Sequence, residues 1–210
     1  MSSKSYTFLV GAPGSRWSGI GQLITDNYNY NKSDETPERM YVHGEFSGHK
    51  GSYFGPEMEN GNDFHRLEHS YFDYQRFIAT CDSPFSESDS DKTKMIKCHQ
   101  FAYGLDWLQK NIPLSNILLV KRDTDKSFDW WKRAGGWNIT YPNYQWYVDD
   151  IHMRQFITTE IKLANEFVKK TNNEWKKFDL EWLTENFGTN SIRDIVNKDD
   201  VEVCLVRTNG

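Results

Sequence analysis

The sequence contains no apolar run long enough to cross a membrane as a helix. Its longest unbroken apolar segments, residues 117–120 and 8–10, have the length of a strand, whereas a membrane-spanning helix needs about 20 residues. The first six residues lead directly into an apolar strand, with no long hydrophobic region and no small-residue cleavage site. We therefore expect no membrane partner and a cytoplasmic location.

Positive charge and cysteine are also scarce. The 25 lysines and arginines are outnumbered by 30 aspartates and glutamates, which gives a formal net charge of −5. Such a chain has no overall positive field with which to hold nucleic acid, so any anion site must be local. Three widely spaced cysteines, Cys81, Cys98 and Cys204, indicate reduced and mostly buried thiols and do not make a metal site. We expect neither a nucleic-acid partner nor a bound metal.

Aromatic side chains, by contrast, are abundant. Of the 210 residues, 37% are hydrophobic and 15% are aromatic, which is enough to bury a sizeable core rich in rings. The length predicts a single domain over residues 1–210, with a loop-rich insertion at about 27–66 in which only residues 40–42 are strand-like. Insertions of this size are more often functional than idle.

Apolar patterns predict strands that alternate with helices. The predicted strands cover residues 6–10, 93–98, 116–121, 175–178 and 201–206. The predicted helices begin at residue 17 and then cover 68–80, 101–110, 123–133 and 149–171, followed by two short helices in the tail. This alternation indicates an α/β fold with three layers, a mostly parallel sheet flanked by helices. The place of strand 201–206 in the sheet is not predicted.

A glycine-rich turn follows the first predicted strand. In residues 11–18, backbone N–H groups of Gly11, Gly14 and Ser15 and the hydroxyl of Ser18 would face a phosphate at the carboxyl edge of the sheet. The pattern of NTPase loops, Gly-x4-Gly-Lys-Ser/Thr, requires a lysine that is missing here, which disfavours an ATPase. The alternative is an ordinary strand-to-helix turn in which the glycines serve only its geometry.

Two further strand ends carry polar residues. Lys97 and His99 are two residues apart at a strand end and would therefore share one face. A cation beside an imidazole favours the neutral form that a general base requires. Arg122 follows a buried apolar strand, where its guanidinium suits a bidentate grip on a phosphate. The alternatives are a solvated histidine and, for Arg122, a salt bridge to Asp123 or Asp125.

Taken in order, these segments resemble the motifs of sulfotransferases that use 3′-phosphoadenosine-5′-phosphosulfate (PAPS). Residues 13–18 are similar to the family's Pro-Lys-Ser-Gly-Thr-Thr-like loop, and residues 97–99 are similar to its Lys-Thr/Ser-His strand end. Residues 117–122 resemble the strand that ends in arginine, and residues 177–183 resemble a late strand followed by an acidic-Leu pair. The closest likeness is to small sulfotransferase-like proteins of marine phages and metagenomes, which would place the protein in a host cytoplasm.

The resemblance implies a fold of the P-loop-containing nucleotide-binding type and a sulfotransferase activity. A sulfuryl group would pass from PAPS to a hydroxyl or amine of a small-molecule or glycan acceptor, with 3′-phosphoadenosine-5′-phosphate (PAP) as product and no metal. The resemblance implies that His99 is the general base. It also implies that Lys97 stabilises the charge that develops on the bridging oxygen. The residues that it assigns to the cofactor are Gly11, Pro13, Gly14, Ser15, Arg16, Trp17, Ser18, Arg122 and Ser127.

The sequence departs from the family pattern in the loop and after Arg122. The family's loop lysine is Gly14 here, so Arg16 or Lys97 would supply that charge. The serine expected eight residues after Arg122 is Trp130, and Ser127 stands only five residues after it. Two other functions therefore stay open: a P-loop kinase-like ATP-dependent transferase, and a non-catalytic binding protein on a degenerate sulfotransferase scaffold. The sequence predicts no oligomeric state.

The acceptor site is the least specified part of the sequence. Polar residues of the insertion and aromatic residues near 140 would wall a pocket suited to sugars or phenols. For the aromatic rings, core packing is the alternative. The residues of this predicted pocket are His43, Glu45, His49, Tyr53, Trp137, Tyr141, Tyr144, Trp146 and Tyr147. Four histidines, at 43, 49, 65 and 69, have spacings that fit no zinc-ligand pattern.

Overall fold

A computed structural model describes residues 5–43, 47–54, 74–89, 91–139, 144–188 and 200–208. Within these ranges the strands, in chain order, are β1 (Tyr6–Gly11), β2 (Met40–His43), β3 (Ser47–Lys50), β4 (Lys94–Lys97), β5 (Asn116–Lys121), β6 (Lys176–Lys177) and β7 (Glu202–Arg207). The α-helices are α1 (Trp17–Asn27), α2 (Tyr74–Asp82), α3 (Leu105–Asn111), α4 (Thr124–Arg133), α5 (Asp150–Lys170) and α6 (Leu180–Phe187). The described residues do not include residues 55–66, the beginning of the helix predicted over 68–80, or the second short helix predicted in the tail.

Five of the strands form one sheet in the order β4-β1-β5-β7-β6. Strand β1 runs parallel to both β4 and β5, and β7 lies antiparallel between β5 and β6. All six residues of β1 are buried, as are the central four of β5, because a sheet covered on both faces requires continuous apolar strands. The predicted α/β fold with a mostly parallel sheet is confirmed. Strand β7, whose place the sequence does not predict, pairs with β5.

Helices cover both faces of the sheet. Phe8 and Leu9 are neighbours in β1 and so point to opposite faces. A Cβ atom on Gly21 of α1 would lie 2.3 Å from Leu9 Cδ2, so the backbone of α1 packs directly on one face. On the other face, the Phe8 ring lies 5.9 Å from Phe77 of α2 and 5.6 Å from Phe101. None of the helices in the described part of the chain has the length and hydropathy of a membrane span.

Aspartate caps fix the starts of three helices. Asp123 accepts hydrogen bonds from backbone N–H groups at the start of α4, and Asp149 and Asp179 do the same for α5 and α6. Such caps satisfy N–H groups that lack a helical partner. The predicted helix starts at 123 and 149 are therefore correct to within one residue. The helix predicted over 101–110 instead begins as a 3₁₀ turn at His99–Gly104 and continues as α3.

Part of the predicted loop-rich insertion is a β-hairpin. Strands β2 and β3 pair antiparallel, and the chain that follows them joins the large sheet through a bridge between Tyr53 and Lys97. The backbone N–H of Phe54 also donates to the Lys97 carbonyl, at 2.9 Å. The hairpin is thereby attached to the sheet beside the carboxyl end of β4.

A second hydrophobic cluster lies apart from the main core. It joins the turn after β1 to α4, to α5 and to the segment between them, through Ala12, Phe128, Trp131, Ile139, Tyr144, Tyr147, Met153 and Ile157. Trp131 and Tyr147 are among the largest side chains that are fully buried. Two of the tyrosines predicted to wall an acceptor pocket are therefore core residues.

Candidate functional site

The three sequence segments singled out above meet at one edge of the sheet. Because β4, β1 and β5 are parallel neighbours, their carboxyl ends lie side by side. The turn over residues 11–18 follows β1, the His99 turn follows β4, and Arg122 follows β5. Ligands of open α/β sheets bind at this edge.

The turn after β1 ends at an uncapped helix N-terminus. Arg16 occupies the N-cap position of α1 with a φ of 73°, and no side chain caps the helix or places an acidic group in its first turn. The first helical hydrogen bond runs from Ile20 N–H to Arg16 O, at 3.1 Å, so the N–H groups of the three preceding residues remain without a helical acceptor. The positive end of the helix dipole adds to their attraction for an anion.

Gly14 is fixed by its contact with α4. A Cβ atom at this position would lie 1.8 Å from the Ser127 carbonyl oxygen and 2.9 Å from the Trp131 backbone nitrogen, and φ of Gly14 is +78°. A lysine, which the sulfotransferase pattern has at this position, therefore has no room here. The absence of that lysine follows from the direct packing of α4 on the turn.

Ser127 takes part in this packing. Its side chain is buried, and its hydroxyl donates to the Arg122 carbonyl oxygen at 3.4 Å. The backbone of Ser127 is the surface that Gly14 contacts. This position supports a packing role for Ser127, in place of the phosphate contact that the resemblance implied. Pro13 is likewise buried.

Two guanidinium groups lie over the Trp130 ring beside the N-terminus of α1, and the charge of a third acts on one of them. The Arg16 guanidinium lies 3.9 Å from the centre of the Trp130 ring, and that of Arg133 lies 5.2 Å from the same ring. Burial lowers the pKa of Arg16, and the positive charges of Arg122 and Arg133 lower it further. The negative charge of Asp200 acts in the opposite direction and raises that pKa. The charges of Arg16 and Arg122 therefore act on each other.

Arg122 already holds a carboxylate. Its Nε and Nη2 donate to Asp200 Oδ2 at 2.8 and 2.5 Å, and its Nη1 donates to the Lys126 carbonyl at 3.2 Å. Burial raises the pKa of Asp200, but the hydrogen bonds and charge of Arg122 outweigh burial and hold that pKa below its ordinary value. The partner of Arg122 is therefore neither Asp123 nor Asp125. The sequence carries no local signal for a partner so distant along the chain.

His99 is paired with a residue that the sequence analysis missed. Its Nδ1 lies 2.8 Å from Oε1 of Glu160 in α5, and the two side chains are only 2% and 1% exposed. Glu160 lies in the buried stripe of α5, between Ile157 and Ala164. A carboxylate at an apolar position of an amphipathic helix is the signal that the sequence offered.

Lys97 contacts the residues before and within the β2–β3 hairpin. Its Nζ donates to the Lys50 carbonyl at 2.5 Å, and burial lowers its pKa while the charges of Asp34 and Glu35 oppose this effect. Strand β4 ends at Lys97, and the chain enters a 3₁₀ turn at His99. Lys97 attaches the β2–β3 hairpin to the sheet.

A cleft of about 80 Å³ opens beside these residues, lined by Gly14, Arg16, Trp17, Ser18, Gly48, His49, Tyr53, Trp130, Trp131, Ala134, Ile139 and Tyr144. The Trp17 and Tyr144 rings lie 6.3 and 5.8 Å from the His99 ring, so His99 lies behind them. Ser15 Oγ and Trp131 Nε1 are buried with no hydrogen-bond partner among the described residues.

Three of the residues predicted to wall an acceptor pocket line this cleft. They are His49, Tyr53 and Tyr144. Tyr144 also belongs to the second hydrophobic cluster, as Tyr147 does, and Trp137 packs against that cluster. The side chains predicted at 43, 45, 65, 69, 141 and 146 lie outside the described residues. Within the part of the chain that is described, no three His, Cys, Asp or Glu side chains are grouped as metal ligands.

Comparison of the chain with protein-family models, with curated proteins and with solved structures found no match.

Proposed function

We propose that the protein is a sulfotransferase of the P-loop-containing nucleotide-binding type, with PAPS as donor and a hydroxyl or amine as acceptor. The observation that carries the proposal is the meeting of the uncapped α1 N-terminus, Arg16 and Arg122 at one sheet edge, beside the His99 turn. A nucleotide with phosphates at both its 3′ and 5′ positions needs two such anion sites. In-line sulfuryl transfer also needs a base close to them.

The donor would be held at two points. The N–H groups at the start of α1 and the Arg16 guanidinium would bind the 5′-phosphosulfate, which a helix N-terminus favours. Arg122 would bind the 3′-phosphate in the bidentate manner of guanidinium groups, after exchange of its hydrogen bonds from Asp200. Lys97 and Ser127 are not part of this proposal, because their polar atoms serve other contacts.

The transfer step would depend on positioning and fixed positive charge. The acceptor oxygen forms a bond to sulfur while the bond from sulfur to the 5′-phosphate oxygen breaks, and that oxygen keeps the electron pair. The acceptor proton passes to Nε2 of His99. Arg16 and the α1 N–H groups stabilise the charge that develops on the leaving phosphate. His99 is 2% exposed, so access to Nε2 requires displacement of the Trp17 or Tyr144 ring.

A second candidate is a non-catalytic binding protein with the same nucleotide site. The burial of His99 behind Trp17 and Tyr144 favours it. This candidate predicts PAP binding without transfer, and it predicts that a substitution of His99 changes stability alone.

Thermal unfolding with added nucleotides tests the proposal. PAP should raise the melting temperature, because a ligand that binds only the native state at about 100 times its Kd adds about 2.7 kcal/mol of stability. AMP and ATP with Mg²⁺ should raise it much less. Arg16→Ala and Arg122→Ala should each reduce the PAP effect, while Arg207→Ala, at the opposite end of the sheet, should preserve it.

A larger effect of ATP with Mg²⁺ would favour the ATP-dependent alternative, and no effect of any nucleotide would refute a nucleotide site. Conversion of PAPS to PAP with a panel of phenols, sugars and amines then separates enzyme from binding protein. His99→Ala should abolish transfer and leave the PAP effect on melting intact. Equal loss of both would show that His99 is structural.

A further inference from the structure

A carboxylate stands in the apolar stripe of α5. Buried side chains of this helix follow at steps of three or four residues, and Glu160 occupies one of these positions with 1% of its surface exposed. Burial of an ionised carboxylate costs several kcal/mol unless the charge is paired and hydrogen-bonded. An apolar side chain would fill this position without that cost, so the carboxylate requires an explanation.

The explanation lies in its contact with His99. Oε1 of Glu160 is 2.8 Å from Nδ1 of His99, which is the one hydrogen bond that the His99 ring makes among the described residues. The other oxygen, Oε2, is buried and has no hydrogen-bond partner there. The pKa values of the nearby Tyr103 and Tyr144 are raised, first by burial and further by the charge of Glu160, so these phenols stay protonated.

An ionised carboxylate can only accept hydrogen bonds, so a ring nitrogen that faces it must carry a proton. A neutral imidazole has a single ring proton. With that proton on Nδ1, the lone pair on Nε2 is available. We infer that Glu160 is a positioning residue, which fixes the Nδ1–H tautomer and the orientation of His99 so that Nε2 accepts the proton of the acceptor.

This inference rests on the proposed function and deepens it, because it explains how a deeply buried histidine is kept ready as a base. When the acceptor proton reaches Nε2, the ring becomes an imidazolium with both nitrogens protonated. The carboxylate of Glu160, 2.8 Å from the opposite nitrogen, stabilises that positive charge at the moment it forms. The Trp17 and Tyr144 rings lie beside the imidazole, at 6.3 and 5.8 Å.

Nitrogen NMR of the histidine rings in the full chain tests the inference without any nucleotide. The ¹⁵N shifts distinguish protonated from unprotonated ring nitrogens, and His99→Ala assigns the signals. In the wild type, Nδ1 should be protonated and Nε2 unprotonated at neutral pH. In Glu160→Gln, the amide presents either an oxygen or an NH₂ group, so Nε2–H should become populated. An Nε2–H form in the wild type, or identical spectra in the two proteins, would overturn the inference.

Two further variants separate positioning from folding. Glu160→Asp keeps the charge and should retain the Nδ1–H tautomer, which provides the test if Glu160→Gln fails to fold. Glu166→Gln makes the same chemical change at an exposed position of α5 and should alter neither the spectra nor the kinetics.

The kinetic effect should fall on the transfer step. Glu160→Gln should lower kcat about 100-fold or more, within the usual contribution of acid–base catalysis, with the KM for PAPS and the effect of PAP on melting unchanged. A parallel rise in KM and loss of PAP binding would indicate a structural role and overturn the inference. If the wild type itself does not bind PAP, the proposed function fails, an outcome that the NMR spectra distinguish from a wrong tautomer.

Discussion

At the scale of single residues, Asp200 controls what Arg122 is able to bind. All three nitrogens of the Arg122 guanidinium are engaged, two of them by one oxygen of Asp200. A phosphate and this carboxylate are both anions that accept hydrogen bonds from a guanidinium, so they compete for the same donors. Asp200 therefore stabilises the protein without ligand and opposes the proposed binding of a 3′-phosphate.

Asp200→Asn should accordingly tighten PAP binding by about tenfold, which corresponds to about 1.4 kcal/mol. Titration calorimetry measures this change, and the same variant should melt at a lower temperature than the wild type in the absence of nucleotide. Asp106→Asn, which breaks an exposed ion pair with Lys170, should leave PAP affinity unaltered. An unchanged or weakened affinity in Asp200→Asn would show that Arg122 does not exchange partners.

The stabilisation by Asp200 should also depend on pH. Because the pKa of Asp200 is lowered in the folded state, its ion pair contributes stability above the unfolded carboxyl pKa of about 3.9. That contribution is lost as pH falls through the lower, folded value. The difference in melting temperature between the wild type and Asp200→Asn should therefore be constant near neutral pH and shrink below about pH 4.

At the scale of elements, the contact between the turn after β1 and α4 determines the shape of the site. Gly14 packs against the α4 backbone, and its positive φ favours glycine. This close contact places α4 directly on the turn, and Trp130 of α4 lies over the Arg16 guanidinium. A side chain at position 14 would force the two elements apart.

Gly14→Ala should destabilise the protein by more than the 1–3 kcal/mol or so that a strained backbone conformation costs, since its Cβ atom would also overlap the Ser127 carbonyl. Gly136→Ala is the matched control, because φ of Gly136 is also positive but its nearest contact, with Lys132 Cδ, is at an ordinary 3.5 Å. Denaturant unfolding of both variants measures the difference. If both variants lost the same free energy of unfolding, α4 would be able to shift away from position 14 at little cost.

Local patterns explain how much of the fold was predictable. Strand β5 matches its prediction residue for residue, because a buried apolar run between polar ends has clear limits. Helices α4 and α5 match closely because aspartate caps mark their starts. Local patterns also predicted two parts of the candidate site, namely the turn over residues 11–18 and Arg122. Glu160 and Asp200 were not predicted, because their partners are distant in sequence and no local pattern encodes such pairs.

At the scale of the whole molecule, the reactivity of the three cysteine thiols indicates whether the protein is folded. Cys81, Cys98 and Cys204 are free and buried, in α2, after β4 and in β7. Burial raises the pKa of all three, to about 11 for Cys204. The thiolate is the reactive form, so at pH values well below these pKa values each thiol is both shielded and protonated.

A thiol-specific disulfide reagent at pH 8 should therefore react very slowly with the native protein and rapidly with all three cysteines after unfolding. Counting the modified thiols by mass spectrometry across a denaturant series checks this. Cys81, Cys98 and Cys204 should become reactive over the same denaturant range, as expected for cooperative unfolding. Early reaction of Cys204 alone would indicate that β7 separates from the sheet before the rest unfolds.

The antiparallel pairing of β5 with β7 has a consequence for the chain as it emerges from the ribosome. Strand β5 is synthesised well before β7, and the described residues between them include the α-helices α4, α5 and α6 and strand β6. Until β7 arrives, β5 presents a line of unsatisfied amide and carbonyl groups beside an apolar surface, which is a template for association with other chains. Nascent chains that pause before β7 should therefore be the form most in need of chaperones.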